Sequence, residues 1–259
     1  MKLISNLLLW GGILLLPLNI HAQITKGLSY QAETGISFSG GEHTPFWLTA
    51  NKQGLSSIEK NNGYLRAGIF RELENDKRFS YAFGADLAVA YNFTSTFVVQ
   101  QLYADLKYRC LGVSIGSKER HSEFNNPLLS SGGLTFSGNA RPVPQIRVGI
   151  PEYTVVPGTK GWLAFKGHIA YGIFTDDGWQ KDFVAPGNKY TEHVLYHSKD
   201  LYVKIGNQEK FPLILEGGLE MAAQFGGNAF IGDQKIDMPN GIKDFFKVFI
   251  PSGGDSSTP

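Results

Sequence analysis

Phe79-Ser80-Tyr81-Ala82-Phe83-Gly84-Ala85-Asp86-Leu87-Ala88-Val89-Ala90-Tyr91-Asn92 alternates without a break. Phe79, Tyr81, Phe83, Ala85, Leu87, Val89 and Tyr91 fall on one parity; Ser80, Ala82, Gly84, Asp86, Ala88, Ala90 and Asn92 fall on the other. A β-strand turns successive side chains to opposite faces, so this stretch has one apolar face and one small, polar face. Aromatics sit at both ends of the apolar face and aliphatics in its middle. A membrane-spanning barrel strand reads this way, with a lipid-facing band between two aromatic girdles. Soluble sheets also alternate, but the aromatic ends and the length of the run favour the membrane.

The start of the chain agrees with export. Lys2, the apolar run Leu7 to Leu18 and the small-residue site Ile20-His21-Ala22 read as a signal peptide over residues 1–22. Gly11, Gly12 and Pro17 interrupt that run, which falls short of the roughly twenty residues a spanning helix needs. No later apolar run is long enough, which leaves strands as the means of crossing. Residues 23–259 are expected to form an all-β, antiparallel, transmembrane outer-membrane barrel of a Gram-negative bacterium. The lone Cys110 excludes an internal disulfide framework, and its apolar parity predicts a lipid-facing or buried thiol. With 24 basic and 23 acidic residues the net charge is +1, and there is no basic stripe for nucleic acid.

The same alternation recurs along the chain. Leu28 to Ser39, Tyr64 to Leu73, Val98 to Cys110, Val113 to Lys118, Gln145 to Ile150, Trp162 to Phe174, Val194 to Ile205 and Leu213 to Phe225 read as strands, and Phe245 to Ile250 as a weaker one. Glu74 to Arg78 and Cys110-Leu111-Gly112 read as tight turns. Asp86, Asp105, Lys107, Arg109, Lys166, Glu216 and Glu220 fall on inward parities and predict a lumen ion network. Residues 40–62 break the period of two, and a small helical element is expected there. Arg120 to Pro144 and Thr175 to Glu192 are long loops of the kind that carry function. Roughly ten strands result, and such barrels have an even number of eight or more. The chain ends Pro251-Ser252-Gly253-Gly254-Asp255-Ser256-Ser257-Thr258-Pro259, which is loop chemistry, so this sequence is expected to be the N-terminal portion of a larger barrel.

Two segments carry a resemblance. His43-Thr44-Pro45-Phe46-Trp47-Leu48-Thr49-Ala50-Asn51-Lys52-Gln53-Gly54 is similar to the N-terminal pattern of the outer-membrane capsule assembly (Wzi) family in its Bacteroides-type members. Leu129-Ser130-Ser131-Gly132-Gly133-Leu134-Thr135-Phe136-Ser137-Gly138-Asn139-Ala140-Arg141-Pro142-Val143-Pro144 resembles a second block of that family. The resemblance runs from about residue 30 to 225 at the level of organisation. It implies a plugged barrel with a small helical element and a lectin-like role, holding capsular polysaccharide on the cell. Trp47, Asn51, Asn139, Arg141, Pro142 and Pro144 are the matched motif positions. The partners implied are capsular or exopolysaccharide, outer-membrane lipid and the barrel assembly machinery.

Asp176, Asp177, Trp179 and Tyr190, with Phe183, form a candidate sugar platform: aromatic faces pack on apolar sugar faces and carboxylates accept hydroxyl hydrogen bonds. Asn139 and Arg141 are candidate polysaccharide contacts as well. The alternative is that Trp179 and Tyr190 are interface aromatics at a barrel rim. His193 and His197 stand four apart, roughly 13 Å along a strand, too far to share one ion. Asp176-Asp177-Gly178 lacks the alternating oxygens of a calcium loop, so neither a metal nor a cofactor is expected. A hydrolase would need a nucleophile, a base and an orienting group. His168 lies on an inward parity, but nothing in the spacing assembles a triad, and an enzyme is not expected. The competing function is a diffusion porin for small solutes.

Overall fold

The computed structural model describes residues 27–74, 76–122, 126, 129–130, 132–133, 135–175 and 178–250. The expected signal peptide, the tail from Pro251 to Pro259, and the candidate residues Asp176 and Asp177 lie outside the described residues. The chain divides into two compact units. One takes the described residues up to Glu72 with Ala82–Tyr103 and Lys118–Pro142; the other takes Leu73–Tyr81, Ala104–Ser117 and the chain from Val143 onward.

In the first unit, β1 (Leu28–Ser37) leads into α1 (Phe46–Thr49), a single turn inside the stretch expected to hold a helix. Then β2 (Asn62–Arg71) returns antiparallel to β1, with Leu28 opposite Arg71 and Ser37 opposite Asn62. β3 (Phe79–Tyr91), whose part from Ala82 on belongs to this unit, pairs antiparallel with β2 from Gly63 opposite Tyr91 to Arg71 opposite Phe83, and β4 (Phe97–Tyr108), in this unit as far as Tyr103, follows in the sheet order.

Burial is inverted relative to a water-soluble sheet. Along β3 the small and polar parity Ser80, Ala82, Gly84, Asp86, Ala88 and Ala90 is buried. Phe79, Tyr81, Leu87, Val89 and Tyr91 on the apolar parity are exposed; Tyr91 keeps 69% of its surface, whereas Asp86 keeps 1%. β4 repeats this pattern, with Leu102, Leu106 and Tyr108 exposed and Gln101, Asp105 and Lys107 buried. Apolar side chains normally leave water on folding. Here the ionic side chains leave it instead.

One irregularity departs from the expected strict alternation of Val98 to Cys110. Val98, Gln100 and Gln101 are all buried, so two consecutive residues face one side and the parity slips between them. Such a slip is the signature of a bulge. It lets Val98 join Leu55 and Ala88 in a small buried cluster, with Tyr64 and Phe93 packed against it. Leu55 thus brings the polar 38–61 connection onto the face of the sheet that carries Ala88.

In the second unit β5 (Leu111–Ser117), β6 (Gln145–Val155) and β7 (Leu163–Ile173) pair antiparallel in that order. The expected turn at Cys110-Leu111-Gly112 sits one residue earlier. Arg109 adopts the left-handed conformation (φ 55°), and Cys110 is exposed in the turn rather than on a strand. Arg109 therefore leaves the inward set to which its parity assigned it. The β6–β7 register shifts between Ile150 and Thr154, beside Pro151, which has no N–H for the ladder. Opposite His168, Gly149 is obligatory, because a Cβ there would stand 2.2 Å from the Gly167 carbonyl oxygen and 2.7 Å from His168 Cα.

The expected loop between residues 175 and 192 carries α2 (Trp179–Phe183) and β8 (Tyr190–Glu192). β9 (Leu195–Ile205) then pairs with β7, and β10 (Leu215–Phe225) with β9. Next come β11 (Asn228–Ile231) and β12 (Gln234–Asp237), a hairpin turning on Gly232-Asp233, a pair suited to such two-residue turns. β8 joins β11 to complete a separate three-stranded sheet. Among the described residues β1 and β10 each pair on one side only, so the nine-stranded sheet is not closed.

The segment read as a weak strand, Phe245 to Ile250, is instead helical: α3 spans Ile242–Phe249. Asp244 Oδ2 accepts the Gly241 N–H at 2.9 Å, closing the helix start. Helical spacing places Phe245 and Phe249 against the sheet. Phe245 meets the Phe225 ring at 5.0 Å, and its carbonyl accepts the Tyr171 hydroxyl at 2.8 Å. A strand would also have kept them on one face, but about 13 Å apart instead of one helical turn. No described helix is long and apolar enough to cross a membrane.

Candidate functional site

Of the residues singled out in the two motif segments, Asn51, Asn139 and Arg141 come together in the first unit. Asn51 adopts a left-handed backbone (φ 56°), and its N–H donates to Asn139 Oδ1 at 2.8 Å while its Nδ2 donates to the Ser130 carbonyl at 2.7 Å. Two residues on, the Gln53 N–H donates to the Gly138 carbonyl at 2.7 Å. Gly54 (φ 73°) lies so close to Arg141 that a Cβ would stand 2.6 Å from its backbone N. Arg141 Nη2 in turn donates to Thr94 Oγ1 at 3.3 Å. Asn139 and Arg141, candidates for sugar contact, are thus engaged in holding one loop to another. Trp47 and Phe46 do the opposite: on α1 both are largely exposed. Pro142 makes no contact of this kind among the described residues, and in the second unit the Pro144 carbonyl accepts the Ile173 N–H at 3.1 Å.

Beneath this lock, Arg66 binds its neighbours with a full fork. Nε and Nη2 donate to Asp86, and Nη2 also reaches Glu119 Oε1 at 2.8 Å. Glu33 lies 3.7 Å away and accepts the Tyr64 hydroxyl. Gln101 Nε2 donates to Asp86 at 3.2 Å, and Gln100 Nε2 donates to Glu119 at 2.8 Å and to the Gln53 carbonyl at 2.9 Å. Burying an arginine is tolerable only with such saturation of its donors. Gln100, the residue released by the parity slip, ties the ion cluster to the Asn51–Gly54 loop.

The second unit holds the aromatic candidates. Trp179 and Phe183 sit one helical turn apart on α2 in an edge-to-face pair at 5.8 Å, and both are exposed. Tyr190 stacks flat on Phe230, 4.7 Å between centroids at 6°. Gln180 Oε1 accepts from the Thr191 N–H at 3.1 Å, so α2 is pinned to β8. The tyrosine face is already occupied; the tryptophan is the available one. Phe230 was not singled out from sequence, although the Gly232-Asp233 turn signal two residues later could have revealed its hairpin.

On the inward parity of the same unit, Lys107 reaches Glu152 at 3.2 Å, and Lys204 reaches Glu216 at 2.8 Å. Tyr202 donates to Glu220. His168, directly opposite Asp200 on the neighbouring strand, lies with Nε2 3.1 Å from Ser198 Oγ and Nδ1 2.7 Å from Asp200 Oδ1. Parity alone placed His168 inward but did not pair strand with strand, and that register is what sequence reading lacked. Among the described residues no group of three metal-ligating side chains converges.

The chain matches no protein-family model, no curated protein and no solved structure.

Proposed function

We propose that this chain forms part of the wall of an outer-membrane β-barrel and grips capsular or related polysaccharide at the cell surface, the role that the resemblance to the Wzi family implies. The observation that carries the membrane part is the inverted burial of β3: Asp86 is withdrawn from solvent while Leu87, Val89 and Tyr91 face outward. In water that surface would be an aggregation liability. Against acyl chains it is the favourable arrangement, with polar groups toward the lumen. A closed sheet is part of this proposal, because unpaired ladder groups cost several kcal/mol each in lipid.

The glycan part draws support from two features. The segments that resemble the family are hydrogen-bonded to one another at Asn51 and Asn139, and α2 presents Trp179 and Phe183 outward from a pinned helix. Aromatic faces of that kind suit the apolar faces of sugar rings. Leu55 packed against Ala88 and Val98 favours a filled interior over an open one. The test is binding of the full-length protein to purified capsular polysaccharide, together with a deletion strain. Retained affinity for the glycan and release of polymer from the deletion strain are expected. Normal cell-bound capsule with no glycan binding would contradict the proposal, and steady ohmic conductance in a planar bilayer would favour a porin.

A further inference from the structure

In the second unit α3 lies where the outward parity of the sheet stops being apolar. That parity carries Phe165 on β7, Leu201 on β9 and Leu219 on β10. Toward the end of the same strands it carries His197, in the row Tyr171, His197 and Ala223, and Lys199, in the row Ile169, Lys199 and Met221. An imidazole and an ammonium group on a lipid-facing surface are costly unless something covers and pairs them. α3 does both. His197 is fully buried: its Nδ1 donates to the Ala170 carbonyl at 3.0 Å, and its ring lies 4.5 Å from that of Tyr171 and 5.8 Å from that of Phe249. Lys199 Nζ donates to the Phe249 carbonyl and stands 3.9 Å from the centre of the Phe249 ring. A lysine there answers a carbonyl that the end of a helix leaves without an intrahelical partner. With the Tyr171 hydroxyl on the Phe245 carbonyl, the helix is fastened to the outward side of the sheet.

The sheet takes only half of the apolar stripe of α3. Ile242, Phe245, Phe246 and Phe249 follow the i, i+3, i+4, i+7 spacing of one helix face. Phe245 and Phe249 meet the strands, whereas Ile242 keeps 79% of its surface exposed and Phe246 72%. At 3.6 residues per turn, Lys243 and Lys247 border this open pair on the side away from Phe245 and Phe249. Both lysines are exposed. Lys247 Nζ is 3.9 Å from Asp244, the outer limit of an ion pair, and Asp244 is engaged at the helix start by the Gly241 N–H. Phe225, which packs on Phe245, belongs to the row Ile173, Leu195 and Phe225 that ends these three strands. α3 therefore starts at the edge of the sheet, where a barrel strand meets the headgroups. An apolar helix flank bordered by lysines suits that boundary, with carbon among the acyl chains and cations on the phosphates.

We propose that α3 is a lipid-binding helix: Ile242 and Phe246 enter the acyl chains, and Lys243 and Lys247 hold the phosphates of anionic headgroups. The helix thereby roofs His197 and Lys199 and restores an apolar surface over them. This inference rests on the reading that the outward parity meets lipid. Because α3 is docked on that side, the open flank of the helix shares the surroundings of the lipid-facing band.

The experiment uses the full-length protein with single cysteines in a Cys110→Ser background, each carrying a fluorophore, in phosphatidylcholine proteoliposomes. A minor fraction of brominated lipid is added, either phosphatidylglycerol or phosphatidylcholine with the same brominated chains. Labels at Ile242→Cys and Phe246→Cys should be quenched, and more strongly by the phosphatidylglycerol at equal mole fraction. Changing Lys243 and Lys247 to Gln should lower that preference, as a ratio of association constants, about fivefold per lysine, and changing both to Arg should retain it. A label at Val89→Cys on β3 reports separately on the membrane reading. Quenching at Val89 with none at Ile242 or Phe246 overturns the role of α3 and leaves the membrane reading standing; quenching at none of the three overturns both. Equal quenching by the two lipids overturns the headgroup assignment. The labels beside native lysines decide the matter even if the Gln variant fails to fold.

Discussion

Asn51 and Asn139, 88 residues apart, are joined by a backbone-to-side-chain hydrogen bond of 2.8 Å. The same Asn51 spends its own amide on the Ser130 carbonyl. Two long connections, without a regular strand among their described residues, are therefore tied together in the first unit, and the left-handed backbone at Asn51 aims both donors. Asparagine tolerates that conformation better than most residues.

Breaking this lock should loosen loops without unfolding the sheet. Asn139→Ala removes one acceptor, worth about 1 kcal/mol. Limited proteolysis should then cut within residues 38–61 and 129–144 faster than in wild type, with an unchanged strand spectrum. Gly54→Ala should do more, since its Cβ would meet the Arg141 backbone at a left-handed position. Equal cleavage rates in all three proteins would contradict the lock.

The Arg66 cluster makes a second prediction. Arg66→Met leaves Glu33, Asp86 and Glu119 facing one another without their shared cation. Removing one partner of a buried pair costs about 3–5 kcal/mol. Urea unfolding in lipid should show a loss of unfolding free energy of that size, and Asp86→Asn should cost less because Glu119 still engages the guanidinium. A surface pair would cost under about 1 kcal/mol, so a small effect would place the cluster in water.

For glycan recognition the deciding side chain is Trp179. Trp179→Ala should weaken polysaccharide binding roughly tenfold, the loss of about 1.4 kcal/mol. Tyr190→Ala should act mainly through stability, because its face is spent on Phe230. Titration of both variants with the same glycan checks the split. Equal losses in affinity would mean that the two aromatics act as one platform.

Much of the sheet was legible in the chain because its alternation is strong and long. The β3 parity from Phe79 to Tyr91 appears in the structure residue for residue. Where the pattern was short or locally overridden, it misled. Phe245 to Ile250 suits a strand of six residues equally well as a helix, and only the capping contact of Asp244 decides for α3. The strict alternation read over Val98 to Cys110 has no place for a bulge, and the adjacent buried pair Gln100 and Gln101 breaks it. The candidate residues were harder still. Asn139 and Arg141 were legible as motif positions, but their role in joining loops depends on contacts across tens of residues. Ser198 beside His168 required the β7–β9 register, which no single-strand pattern contains.

Everything rests on which side of β3 meets lipid. Arginine at Val89 should destabilise the protein in a bilayer by about 2–4 kcal/mol if that position lies near the midplane. More direct is a scan of single cysteines in a Cys110→Ser background, each carrying a fluorophore, in proteoliposomes made with brominated acyl chains. Labels at Leu87→Cys and Val89→Cys should be quenched by the acyl chains, and those at Ala88→Cys and Ala90→Cys should not. Uniform absence of quenching, or quenching on the Ala88 and Ala90 parity, would contradict a lipid-facing apolar band.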